Sequence, residues 1–230
     1  KRVAVTGVSR EPGSHGSNAV YKRLRDRGYE VFAVNPNADT VEGDRAFANA
    51  ALSAREREVL RLYAAGLPLK VVADTANGMG GLVVPRVFAG LPFDLTVMYG
   101  ELDGTLPNHE ANPLIEENRR DITAEVVRQK ADIGIAWDGD ADRCFFIDGT
   151  GEFISGDFVT ALLAEAFLLK EPGATVVYDL RASHAVKDVV GRYGGRALEN
   201  RNGHAFIKRR MRDEDAAFGG EVTGHYYFRD

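Results

Sequence analysis

The sequence predicts an α/β protein built from more than one unit. Short apolar runs of strand length alternate with stretches whose apolar residues recur at helical spacing. Glycine-rich turns mark most of the joins between them. A composition of 44% hydrophobic and 27% charged residues over 230 positions supplies both a core and a solvated surface. The formal net charge of -5 speaks against a nucleic-acid surface spread over the chain, because phosphate binding wants clustered Lys and Arg. The single cysteine, Cys144, excludes an internal disulfide and fits a reducing, cytoplasmic setting. No apolar run approaches the roughly 18 residues that a membrane helix needs. The chain opens at Lys1 and passes directly into "RVAVTG", so no signal peptide is visible and a fragment is expected.

Residues 1–50 read as strand, loop, helix, strand. "VAVTG" is an apolar strand, "VSREPGSHGS" a loop, "NAVYKRLRDRG" a helix with a glycine stop, and "YEVFAVNPNA" a second strand. Loop glycines followed by a helix N-terminus can cradle a phosphate. The whole string from Val3 to Phe47 resembles the start of small bacterial CoA-binding, Rossmann-like domains. That resemblance implies that Gly7, Val8, Ser9 and Arg10 lie near the diphosphate of CoA. Residues 51–68 change character. "LSAREREVLRLYAAGL" has Ser53 and Glu56 in capping-box spacing, an amphipathic middle and Gly66 as a stop. It resembles the first helix of LuxR-type helix-turn-helix domains, but the next stretch, "PLKVVADTANG", is a strand, so no recognition helix follows to enter a groove. An amphipathic linker helix is the reading that remains.

From residue 69 the alternation is continuous. "KVVAD" is a strand with a Gly-rich turn, "LVVPRVFAGL" a short helix, "FDLTVMYG" a strand, "ITAEVVRQK" a helix and "ADIGIAW" a buried strand that ends in an acidic loop. After "CFFIDGTGEFISG" follow the helix "DFVTALLAEAFLLK", the strand "ATVVYDL", the helix "SHAVKDVVGRYG", the strand "RALEN", the helix "HAFIKRRMRDED" and a final "AAFGGEVTGHYYFRD". A boundary between Gly151 and Gly156 divides this stretch into units at 69–153 and 154–230.

The chemistry gathers in "WDGDADR". Asp138, Asp140 and Asp142 stand at alternate positions beyond an apolar strand, where ligands of α/β sheets collect. Close carboxylates repel and are costly to desolvate unless a cation sits among them. Three hard oxygens suit Mg²⁺ or Mn²⁺ better than zinc, and Arg143 next to them can hold a phosphate by its fork. The competing reading of the residues is an acidic surface turn.

Residues 69–230 resemble the second domain and most of the third domain of the α-D-phosphohexomutases, the phosphomannomutase/phosphoglucomutase family. "DGDADR" resembles that family's metal loop, which implies Mg²⁺ on Asp138, Asp140 and Asp142 with Arg143 beside it. "GEVTGH" resembles the sugar-binding loop, usually "GE.SGH", which implies hydroxyl contacts from Glu221, Thr223 and His225. Thr223 replaces the usual Ser, keeping the hydroxyl and adding a methyl. Arg181 in "YDLRASH" and Gly203 and His204 in "NRNGHAFIK" fall where the family contacts the sugar phosphate. The family also carries its phosphoryl group on a serine in a "T-A-S-H-N-P"-like loop and grips the distal phosphate with a further loop, and neither pattern appears here. Ser183 in "RASHAV" opens a helix and reads as an N-cap. The expected protein is therefore phosphohexomutase-derived, chimeric or incomplete, binding Mg²⁺ and a hexose phosphate, and weakly active or inactive alone. The rival readings are a CoA or nucleotide binder and, last, a DNA-binding regulator.

Overall fold

The computed structural model describes residues 2–6, 22, 25–26, 30–34, 40–41, 44–45 and 68–229. The expected phosphate loop at Gly7, Val8, Ser9 and Arg10 and the expected helix from Ser53 to Gly66 lie outside them. Backbone contacts divide the chain into one unit of residues 1–69 with 92–94 and a second of residues 70–91 with 95–230.

In the first unit β1 (Arg2–Thr6) and β2 (Glu30–Val34) pair in parallel, from Arg2 opposite Glu30 to Thr6 opposite Val34. Parallel neighbours need a crossover between them, and Lys22, Arg25 and Asp26 are helical, as the βαβ reading requires. Two short strands, β3 (Thr40–Val41) and β4 (Asp44–Arg45), form an antiparallel pair.

The second unit holds two sheets. β5 (Leu69–Asp74), β6 (Phe93–Met98), β7 (Ile133–Trp137), β8 (Cys144–Asp148) and β9 (Phe153–Ile154) lie in the order β6-β5-β7-β8-β9. β5 and β7 are parallel, whereas β8 and β9 fold back antiparallel. The helices α1 (Gly80–Phe88) and α2 (Arg120–Gln129) belong to this layer, α2 after a 3₁₀ turn over Glu116–Arg119. Helix α2 buries Ile122 and Val126 against Val72, Ala136 and Ile147. That four-residue spacing puts both side chains on one stripe of the helix.

The other sheet runs β11-β10-β12-β13. Its members are β10 (Thr175–Asp179), β11 (Arg196–Asn200), β12 (Phe218–Gly220) and β13 (Tyr226–Phe228). β10 is parallel to β11 and β12, and β13 returns antiparallel to β12. Alternation along β10 divides its side chains between two faces. Val176 and Tyr178 pack with α3 (Gly156–Lys170) and α4 (His184–Arg192) through Ala161, Ala164, Leu168, Val186 and Val190. Val177 packs with α5 (His204–Asp213) through Ile207 and Met211. Burial on both faces explains why "VVY" in β10 is an unbroken apolar run, and the α/β expectation holds for this unit.

Both sheets thus combine a parallel centre with an antiparallel return at one edge. The return strands carry the chain out of the acidic loop and out of the "GEVTGH" loop, so each loop is a hairpin connection pinned at both ends. Gly134 shows how tightly the first layer closes. A Cβ there would lie 2.7 Å from Val126 Cγ2 and 3.2 Å from Ile147 Cβ. Overpacking of a closed core costs about 1–3 kcal/mol. Gly134→Ala is expected to lower unfolding free energy by that order in a urea titration; an unchanged midpoint would mean that α2 can move away from the sheet.

Candidate functional site

Four buried carboxylates of the second unit mark the carboxyl ends of its parallel strands. Asp74 ends β5, Asp138 follows β7, Asp179 ends β10 and Glu221 follows β12, and all four are at most 2% exposed. Removing a carboxylate from water is tolerated only where donors replace the water. Each has found them.

Asp138 is held by Arg143, whose backbone N–H donates to Oδ1 at 3.1 Å and whose Nε donates to Oδ2 at 2.5 Å. Asp140 and Asp142 are exposed, and one carboxylate oxygen from each of the three aspartates lies within 4.8 Å of the others. Ala141 between them has φ of 62°, the left-handed region, which is how the turn brings the alternate side chains to one place. The donor set is all hard oxygen, which fits Mg²⁺ or Mn²⁺ and not a soft metal. Cys144, two residues beyond Asp142, does not change this: burial pushes its thiol up to about 12, so it stays protonated at neutral pH.

The "GEVTGH" loop meets the acidic loop directly. His225 Nε2 is 3.3 Å from Asp142 Oδ1, and its Nδ1 is 3.0 Å from Glu221 Oε2 and 3.3 Å from Thr223 Oγ1. The Cys144 amide donates to the Gly224 carbonyl at 3.0 Å, joining the first residue of β8 to the same loop. Gly224, at φ of 83°, sits where a Cβ would fall 2.8 Å from the Phe145 ring. Glu221 is more than a surface reader of hydroxyls. Its Oε1 accepts from the Gly203 amide at 2.7 Å and its Oε2 from the Tyr227 hydroxyl at 2.6 Å, so it fixes the start of α5 to the loop. Burial, and the bond to Glu221, raise the Tyr227 hydroxyl well above its usual range and keep it a donor.

His204 opens α5 and, with Asp142, Lys208, Arg212, His225 and Tyr227, lines a pocket of about 900 Å³. Arg181 is turned onto Asp179, donating from Nε at 3.0 Å and from Nη2 at 2.7 Å. Burial opposes ionisation of Asp179, but the Arg181 guanidinium and the amides of Arg181 and Val222 outweigh it and hold the carboxyl below its usual range. Because the Val222 amide donates to Asp179 Oδ2 at 3.0 Å, Arg181 is tied to the "GEVTGH" loop through that carboxylate. Ser183 Oγ accepts from the Ala185 amide at 3.4 Å, the N-cap role that its position suggested. All ten expected site residues of this unit therefore belong to one connected neighbourhood.

Sequence reading missed Asp74, His109, Asp179 and Tyr227. The two aspartates share a visible signal, a single acid at the end of an apolar run. Asp74 is partnered by His109, whose Nε2 lies 3.0 Å from Oδ2 while Nδ1 faces the Glu110 carbonyl at 2.9 Å. That bond to Asp74 outweighs burial and raises the imidazole from 6.5 to about 9. A folded-state value above the unfolded one means that the pair's contribution to stability is complete below about 6.5 and is lost as pH rises through about 9. Chemical denaturation at intervals from pH 6 to 10 is expected to show the parent converging on His109→Gln as pH climbs; a constant gap across that range would refute the ion pair.

Comparison with known proteins bears on this geometry. Residues 45–151 match the "Phosphoglucomutase/phosphomannomutase, alpha/beta/alpha domain II" profile, and residues 155–230 match the domain III profile of the same family. Residues 1–88 match a "CoA binding domain" profile, which overlaps the domain II match over residues 45–88. A phosphomannomutase of Escherichia coli (strain K12) is 48% identical over 168 residues, covering 71% of this chain and 37% of the relative. Phosphohexose mutases of Xanthomonas campestris pv. campestris (strain B100) are 48% identical over 164 residues, covering 71% of this chain and 36% of theirs. The chain thus spans little more than a third of the length of these relatives. Among solved structures, a phosphoglucomutase/phosphomannomutase family protein from Burkholderia thailandensis is similar with a TM-score of 0.69 and 29% identity, over 93% of this chain and 44% of that one. An N-acetylphosphoglucosamine mutase of Aspergillus fumigatus, in complex with GlcNAc-6P and magnesium, shares the fold with a TM-score of 0.54 at 17% identity, over 71% of this chain and 37% of that one. Two consecutive domain profiles in order, close relatives of one kind and a shared fold agree, and the chain belongs to the phosphoglucomutase/phosphomannomutase family.

Proposed function

We propose that the second unit binds Mg²⁺ and a hexose phosphate as the metal-and-sugar half of a phosphohexomutase, whose reaction is intramolecular phosphotransfer on hexose phosphates. The observation that carries this is the meeting of two loops with different chemistry, at the contact of 3.3 Å between Asp142 and His225. One loop offers clustered carboxylates and the other offers a hydroxyl and an imidazole, which suit a cation and a sugar respectively. When bound, the metal neutralises charge on the phosphoryl group in transit. Arg143 keeps Nε on Asp138, which leaves the rest of its guanidinium to hold phosphate oxygens. Thr223 and His225 read sugar hydroxyls, Glu221 keeps them in place, and His204 and Arg181 face the sugar phosphate. The domain division we favour remains 1–50, 51–68, 69–153 and 154–230.

A mutase also needs a serine to carry the phosphoryl group. Ser183 is committed to capping α4, and Ser155 sits at the N-cap of α3. These are the serines among the described residues and neither is placed on the acidic loop; on this reading the 230-residue chain alone is at best a poor mutase, since transfer depends on positioning the donor. Calorimetry with Mn²⁺ and Mg²⁺ tests the metal reading: Asp140→Asn is expected to weaken binding by about tenfold or more while leaving the melting temperature nearly unchanged, as its side chain is exposed. Equal affinity in mutant and parent would remove the metal from Asp140. Conversion of glucose 1-phosphate to glucose 6-phosphate at about 10 per second, an ordinary enzyme rate, would show that a competent serine lies in this chain after all.

A second reading concerns residues 1–88, which are similar to a CoA binding domain. Gly7, Val8, Ser9 and Arg10 follow β1 and would lie at the diphosphate of CoA, as loops after a first strand do. Calorimetry with CoA decides it, and absence of heat at millimolar ligand would discard it.

A further inference from the structure

His109 has no part in the metal and sugar roles given so far, yet it is firmly held by Asp74 and the Glu110 carbonyl. Its side chain is 12% exposed and that of Asp74 2%. Both ring nitrogens face acceptors, the Asp74 carboxylate and the Glu110 carbonyl, so both carry hydrogen. Tyr99 presents its ring to His109 edge to face at 5.4 Å and donates its hydroxyl to Asp121 at 2.7 Å. The second oxygen of Asp74 accepts from the Ala76 amide at 2.9 Å.

What this pair closes is a slot around Gly139, the residue between Asp138 and Asp140. On one side the turn after β5 passes through Ala76 and Asn77 at φ of 48° and 57°, left-handed values that non-glycine residues keep only when their surroundings enforce them. The turn then delivers the Met79 amide to the Gly139 carbonyl at 2.9 Å. Gly78 approaches so closely that a Cβ on it would lie 2.6 Å from that carbonyl oxygen. On the other side Ala111, two residues after His109, would be 3.5 Å from a Cβ on Gly139. Asn108 adds a cross-tie, donating from Nδ2 to Asn77 Oδ1 at 2.7 Å. Asp74 sits at the root of one wall and His109 in the other, so their contact ties the two walls together.

We propose that His109 is a positioning residue for the acidic loop, pinning the wall that follows β5 against the wall that carries Ala111 so that Gly139, and with it Asp138 and Asp140, is held in place. This deepens the metal reading above and rests on it only for the metal arm of the test. Groups that orient the ligands of a metal change its affinity by about 10–100-fold when removed.

Two measurements on the full chain test it. The first is hydrogen exchange at the Met79 amide without metal, and the second is Mn²⁺ affinity by titration. His109→Leu is expected to speed Met79 exchange at least tenfold and to weaken Mn²⁺ by about tenfold or more. His109→Gln, whose amide can still donate to Asp74, should recover part of both. Val190→Ala in α4, buried in the other sheet's core, serves as a control that lowers melting temperature without touching the slot. Met79 exchange in His109→Leu no faster than in that control would overturn the proposal, reducing the pair to a structural one. If His109→Leu does not fold, Asp74→Asn decides: faster Met79 exchange than the control supports the positioning role, and the parental rate removes it. A parent that binds no Mn²⁺ yet shows the exchange shift keeps His109 as the loop's anchor and sinks the metal reading instead.

Discussion

A carboxylate at the end of a buried strand must be answered by donors, and in the second unit four such groups set the arrangement of everything near them. Leaving one unpaired would cost several kcal/mol, and breaking an established buried pair typically costs 3–5 kcal/mol, as much as a small domain can spare. Asp138 is answered by Arg143, Asp179 by Arg181 and the Val222 amide, Glu221 by Gly203, Tyr227 and His225, and Asp74 by His109 and the Ala76 amide. Apart from Tyr227, which stands in β13, these partners come from loops and not from the strands themselves. The need to satisfy buried charge therefore converts loops, ordinarily the loosest parts of a protein, into fixed parts of the site.

That constraint explains why the acidic loop and the "GEVTGH" loop can form one surface although they leave different sheets. Asp142 is exposed and lightly held, at 3.9 Å from Arg143 Nε and 3.3 Å from His225 Nε2, whereas Asp138 and Glu221 behind them are buried and fully engaged. A rigid inner pair carries an adaptable outer pair. Glu221 shows the division most clearly: its two oxygens serve Gly203, Tyr227 and His225, so it acts on its surroundings through the residues it holds.

Much of this was legible in the sequence, for reasons that are local. Period-two alternation and four-residue apolar spacing are properties of neighbouring residues, and they located β5, α2, β7, α3, β10, α4, β11 and α5 in the right order. The acidic loop was legible because three like charges at alternate positions are costly without a reason. Ser183 could be recognised as a cap from its place before a helix. What escaped was whatever depends on distant partners. "CFFID" and "YYF" pair antiparallel with the strands before them, a register that apolar content alone does not encode. Glu221 was expected in "GGEVTGH" as a contact for sugar hydroxyls, and its burial depends on the Tyr227 hydroxyl and the Gly203 amide, brought together by β12, β13 and α5. His109 lies in "PNHEANP", a stretch with no periodicity at all, and its partner is 35 residues away.

Asp74 and Asp179 are structural counterparts, each the last residue of a parallel strand and each accepting the amide two residues ahead. They differ in where their charge partner comes from. Asp179 takes Arg181, two residues on, and a guanidinium stays charged at any pH a folded protein meets. Asp74 takes a histidine from a remote loop, raised to about 9 by the very contact it makes. The first arrangement is closed as soon as the local turn forms. The second is closed only when β5 and the loop from Tyr99 to Ile115 have come together, so the contact depends on tertiary assembly and reports on it. The same strand-end carboxylate thus serves as a local turn-former in one sheet and as a long-range tie in the other. The long-range tie is the one whose two walls approach Gly139, between Asp138 and Asp140.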